Sequence, residues 1–304
     1  MELANLKMPP FNTTLMGVVK GVLDYYGSGL SPAMAFGGSG HAFLINIHEE
    51  VCPSGPYVWK NDRFQALLRN LGLETVSLGF FHSGSTSAER AAVEQKLKDN
   101  LAQGLPCSLC NLENQLIYGL DEQRFFTAQP WPKNPDFPPK TLTFSTWAEF
   151  GNECHASFFS FKKLPKQDRN VIIRDSLTYA VDLFENPRKH SCEHYGIGPE
   201  AYDNWLKAVE TGKANPHGNW WNATVWSECR AMAAAFFAEI AERYPDSASA
   251  LRALSADYKE ISDRLARVSD KKVPDDEKSP IIRDLKTREL AAISRVKELV
   301  GSFA

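Results

Sequence analysis

The sequence predicts an α+β chain in which a lobe of helix and antiparallel sheet precedes an all-helical domain. Three observations carry that expectation. Between Pro106 and Phe161 short apolar runs recur with period two, separated by polar turns. Beyond Arg169 apolar residues return only at three- and four-residue steps. The two patterns meet at a polar connector, Lys162–Arg169, which places the domains at 1–165 and 166–304.

Asn12–Tyr26 reads as a helix, because Leu15, Val18, Val19, Val22, Leu23 and Tyr26 fall on one face and Gly27 sits where a C-terminal cap belongs. Ser28–Gly40 follows as a glycine-dense loop that lets backbone come close to something. Ala42–Ile47 reads as a strand, Phe64–Leu71 as a helix, Thr75–Phe81 as a strand and Ser87–Gln103 as a helix ended by Gly104. Pro106–Leu112, Gln115–Leu120, Arg124–Ala128, Thr141–Phe144 and Ala156–Phe161 then form the antiparallel sheet, interrupted by a proline-rich loop, Pro130–Pro139, of the kind that often borders sites. The helical domain contains Val171–Phe184, Pro199–Thr211, Ala223–Arg243, Ala248–Val268 and Ile281–Val300. Asp270–Lys278 is a solvated linker, and Ser279-Pro280 supplies a cap for the last helix.

At 304 residues, 43% of them hydrophobic, the chain is long enough for two modest cores. Acidic and basic residues nearly cancel, 37 against 34, and no run of five or more Lys/Arg appears, so nucleic acid is not an expected partner. No window approaches the roughly 20 apolar residues of a spanning helix, and Met1–Pro10 has neither the pattern of a signal peptide nor that of an anchor. Cys52, Cys107, Cys110, Cys154, Cys192 and Cys229 are spread thinly, as reduced thiols are. These features predict a cytoplasmic protein with a small or neutral partner, no membrane and no cofactor.

Short motifs then point to a family. Asp24-Tyr25-Tyr26-Gly27 closes the first helix, Gly104-Leu105-Pro106 opens a strand, and Leu116-Ile117-Tyr118-Gly119-Leu120-Asp121 ends the next. Phe36-Gly37-Gly38-Ser39-Gly40-His41-Ala42-Phe43 and Gly198-Pro199-Glu200-Ala201-Tyr202 extend the match along most of the chain. The pattern resembles the butirosin-biosynthesis acyltransferase family, which is related to papain-like peptidases of the bacteriocin-processing kind. The resemblance implies a papain-like fold for the first lobe, and acyl transfer to an amine in a cleft between its helix and sheet, with a small-molecule substrate and a carrier protein as the acyl donor. It also implies a nucleophile slot at Thr14, a base slot at Glu113 and an orienting slot at Gln129, where the family carries cysteine, histidine and aspartate. Ser39, His41, Asn114 and Trp131 fall where substrate contacts belong.

A threonine hydroxyl ionises far above a cysteine thiol, so Thr14 needs a base within hydrogen-bond reach, and a half-buried Glu113 meets that need. The plainer role for Thr13 or Thr14 is an N-cap. His41, alone in a glycine-rich turn, suits a proton shuttle or a structural hydrogen bond equally. Cys52 reads as a turn cysteine rather than a displaced nucleophile beside His41 or His48. His190, Cys192 and His194 alternate, yet lack the second cluster of a structural zinc site, because Cys107 and Cys110 point to opposite faces of a strand; no metal is expected. Trp205, Trp220, Trp221 and Trp226 pack the bundle or a subunit interface. Two further readings stay open: a non-catalytic descendant that binds a metabolite or peptide, and a structural protein that forms a homodimer through its helical half.

Overall fold

The computed structural model describes residues 1–82, 84–131, 133–134, 136–151 and 154–303. In chain order its helices and strands begin with α1 (Thr14–Tyr25), α2 (Pro32–Gly38), β1 (Asn46–His48), α3 (Asp62–Asn70), β2 (Leu73–His82) and α4 (Ser87–Ala102). Five strands follow: β3 (Cys107–Asn111), β4 (Glu113–Leu120), β5 (Arg124–Thr127), β6 (Thr141–Thr143) and β7 (His155–Lys163). The chain continues with α5 (Arg169–Glu185), α6 (Pro187–His190), β8 (Tyr195–Ile197), α7 (Pro199–Glu210), α8 (Pro216–Ala241), α9 (Ala248–Ser269) and α10 (Asp275–Leu299). The class is α+β with antiparallel sheets, as expected. The division into units is not contiguous: one comprises Met1–Leu30 and Gly72–Lys166, the other Ser31–Leu71 and Gln167–Ala304. The sheet unit ends at Lys166, and Ser31–Leu71 belongs to the helical unit.

The sheet unit is a six-stranded antiparallel sheet in the order β2-β7-β3-β4-β5-β6. Strand side chains alternate between faces, and one face carries Cys107, Leu109, Ile117, Phe125 and Phe158 onto Val93, Leu97 and Leu101 of α4. Trp147 closes this core against Phe81 at 4.7 Å and Phe158 at 4.8 Å between ring centroids. α4 starts at a capping box, in which the Glu89 N–H donates to Thr86 Oγ1 at 3.2 Å and the Thr86 N–H donates to Glu89 Oε2 at 2.7 Å. Thr86 is therefore the N-cap, and Ser87 is the first helical residue, as expected. α1 packs on β4, held by the Tyr25 hydroxyl donating to the Gly104 carbonyl and the Tyr26 hydroxyl to that of Phe161. β3 and β4 turn back around Leu112, at φ +62°, in the register Asn111↔Glu113 and Cys110↔Asn114.

The helical unit centres on α8, most of whose length is buried, with α9 packed along it. Phe43, Phe236, Phe237 and Tyr258 form its aromatic centre, with centroid distances of 5.5 to 6.1 Å. The stretch expected as a loop, Ser28–Gly40, contains α2: Ser31 accepts the Met34 N–H and Pro32 sits in the first turn. Its glycines serve packing, since a Cβ on Gly37 would lie 2.2 Å from the Phe236 ring. The expected strand Ala42–Ile47 is a 3₁₀ turn, His41–Phe43, followed by the three residues of β1. β1 pairs with β8 in the register Asn46↔Ile197, so this unit is not all-helical. α10 begins at Asp275, within the expected linker, with Pro280 inside it. Asp275, Asp276 and Glu277 favour the positive end of the helix, and the proline ring removes one hydrogen-bond donor near that end. α8 likewise begins earlier than expected, at Pro216, because the Asn215 side chain accepts the Gly218 N–H.

Arg230 and Glu289, both fully buried, form a bidentate pair between α8 and α10. The guanidinium also donates to the carbonyls of Ala42 at 3.0 Å and Leu44 at 2.7 Å, which satisfies the 3₁₀ turn. No helix among the described residues is long and apolar enough to cross a membrane.

Candidate functional site

Thr14 is the first residue of α1, and Glu113 the first of β4 just past the Leu112 turn. Ninety-nine positions apart in sequence, they meet: the Thr14 hydroxyl donates to Glu113 Oε2 at 2.7 Å. The Asn114 backbone N–H donates to Thr14 Oγ1 at 3.1 Å, and the Asn114 side-chain Nδ2 approaches the same oxygen at 3.4 Å. Helix start and strand start thus share one oxygen that donates once and accepts twice. All three residues are buried, with 1% of Thr14, 6% of Glu113 and 9% of Asn114 exposed.

The surroundings are polar. Asn111 and Gln115 are buried beside them in sequence. The Asn111 carboxamide accepts the His155 N–H at 3.0 Å, and Gln115 Nε2 donates to the carbonyls of Ala128 and Pro139. Cys110, opposite Asn114 in the register, has its thiol pushed up to about 12 by burial first and by the charge of Glu113 next. A thiol with that pKa is protonated at neutral pH and is not a nucleophile. Thr13, at the N-cap, makes no side-chain capping bond.

The other expected site residues are placed differently. Gln129 Nε2 donates to the Pro138 carbonyl, so its side chain holds the proline-rich loop. Trp131 stacks on Phe137 in that loop, with centroids 6.3 Å apart. Pro132 and Pro135, also part of the expected loop, lie outside the described residues. Ser39 and His41 belong to the helical unit. Ser39 is fully buried and its hydroxyl donates to the Phe36 carbonyl at 3.0 Å. His41 is 1% exposed and enclosed by Trp59, Phe64 and Trp226 at centroid distances of 5.6 to 6.2 Å. Burial, and then the charge of Arg230, pull its pKa down to about 3. It is a neutral core histidine, not a shuttle at the mouth of a strand.

The sulfur beside His41 Nδ1 is that of Cys229, at 3.6 Å. Cys229 lies 188 positions away on a helix face, so no local signal could have joined them. Cys52 is half-buried, and its carbonyl accepts Asn222 Nδ2. His190 ends α6 and bonds to Asp182 at 2.8 Å, while His194 bonds to Glu49 at 3.0 Å, so they share no ligand face. No cluster of three metal-ligating side chains occurs among the described residues. Trp205 and Trp226 are fully buried and Trp221 nearly so, which is the packing role. Trp205 Nε1 donates to Asn219 at 2.6 Å and Trp221 Nε1 to the Tyr57 hydroxyl at 2.9 Å.

No protein-family model matches the chain, and no curated protein matches it in sequence.

Proposed function

We propose that the sheet unit is a papain-like lobe, similar to that of the butirosin-type acyltransferases, that binds a small amide- or ester-containing molecule without turning it over. The saturated hydroxyl of Thr14 supports this reading. A nucleophile needs a free lone pair aimed at the carbonyl it attacks, whereas this oxygen donates to Glu113 and is approached by both nitrogens of Asn114. At 1% exposure it also has little room for an incoming carbonyl. The slots for nucleophile and base are kept as a polar lock between helix and sheet.

A second reading has one observation in its favour. The 2.7 Å bond from Thr14 to Glu113 is the contact a hydroxyl nucleophile and its carboxylate base would make. On that reading Thr14 Oγ1 attacks the carbonyl of a carrier-protein thioester or an activated ester, Glu113 receives the hydroxyl proton, and the C–S or C–O bond of the donor breaks to release a thiol or alcohol that leaves with that proton.

Hydrolysis of p-nitrophenyl acetate by the full chain separates the two. Binding without chemistry predicts a rate at the buffer background, unchanged in Thr14→Ala and Glu113→Gln, with saturable binding of the stable amide p-nitroacetanilide in calorimetry. Saturable turnover that disappears in Thr14→Ala and falls by about a hundredfold or more in Glu113→Gln would establish the catalytic reading instead. Neither turnover nor binding would overturn both and favour a structural protein, whose homodimer a sedimentation series would reveal.

A further inference from the structure

We draw no further inference here: the strongest candidate, the exposed patch of Phe80, His82 and His155 rings on β2 and β7 at one edge of the six-stranded sheet, carries nothing because nothing in the structure shows what covers it.

Discussion

Replacing Thr14 by valine keeps its shape and deletes the one oxygen that α1 and β4 share. The lost donor served the Glu113 carboxylate at 2.7 Å, and a bond to an ionised group is worth about 1.5–3 kcal/mol. The lost acceptor served the buried Asn114 N–H at 3.1 Å, and a buried donor left unsatisfied costs about 1–3 kcal/mol. Water cannot replace the hydroxyl cheaply where exposure is 1% to 9%. The two losses share an atom and so do not simply add; about 3 kcal/mol is expected, roughly a third of the stability of an ordinary domain. Thr14→Ser keeps the oxygen and gives up one methyl, which costs about 1 kcal/mol. Urea unfolding followed by circular dichroism gives the difference, and hydrogen exchange at the Asn114 amide localises it. If valine cost less than about 0.5 kcal/mol, the ordinary range for surface changes, or if valine and serine cost the same, the shared oxygen would not be what joins helix to sheet.

Three other outcomes follow from the helical unit. Glu289→Leu strands the buried Arg230 charge and is expected to cost about 3–5 kcal/mol, whereas Arg230→Met with Glu289→Leu recovers most of it; urea midpoints for the two singles and the double complete the cycle. His41, with a folded pKa near 3 against an ordinary value of 6.5, stays neutral when folded and gains a proton on unfolding. Its contribution is therefore complete above pH 6.5 and lost as pH falls toward 3, about 2 kcal/mol between pH 7 and pH 5. His41→Asn should flatten that part of the stability profile, and an unchanged slope would contradict a neutral core histidine. Gly218→Ala would place a Cβ 1.8 Å from the Val51 carbonyl oxygen, a backbone atom that cannot rotate aside. The expected cost is about 3 kcal/mol or more, read as a lowered melting temperature.

Most elements were legible because their signals are local. Period two and short apolar runs marked β3, β4, β5, β6 and β7, and β2 was read as a strand too, each within a few residues of its observed ends. Where the reading failed, a stronger local cue masked a weaker one. The glycines of Ser28–Gly40 hid the Ser31-Pro32 start of α2, and Ser279-Pro280 drew the start of α10 too far along the chain. β1 and β8 are three residues each: the apolar run at Ala42–Ile47 overlapped β1 at Asn46 and Ile47, and only the pairing reveals β8.

For the site, sequence alone determined which chemical groups were available: a threonine near the start of the first helix and a carboxylate between two strands, with no cysteine or histidine in either place. Their meeting was decided by tertiary structure, because bonds between residues 99 positions apart depend on how a helix docks on a sheet rather than on any local preference. The same holds for His41, whose glycine-rich context suggests exposure, while the fold encloses it among three aromatic rings and the sulfur of Cys229.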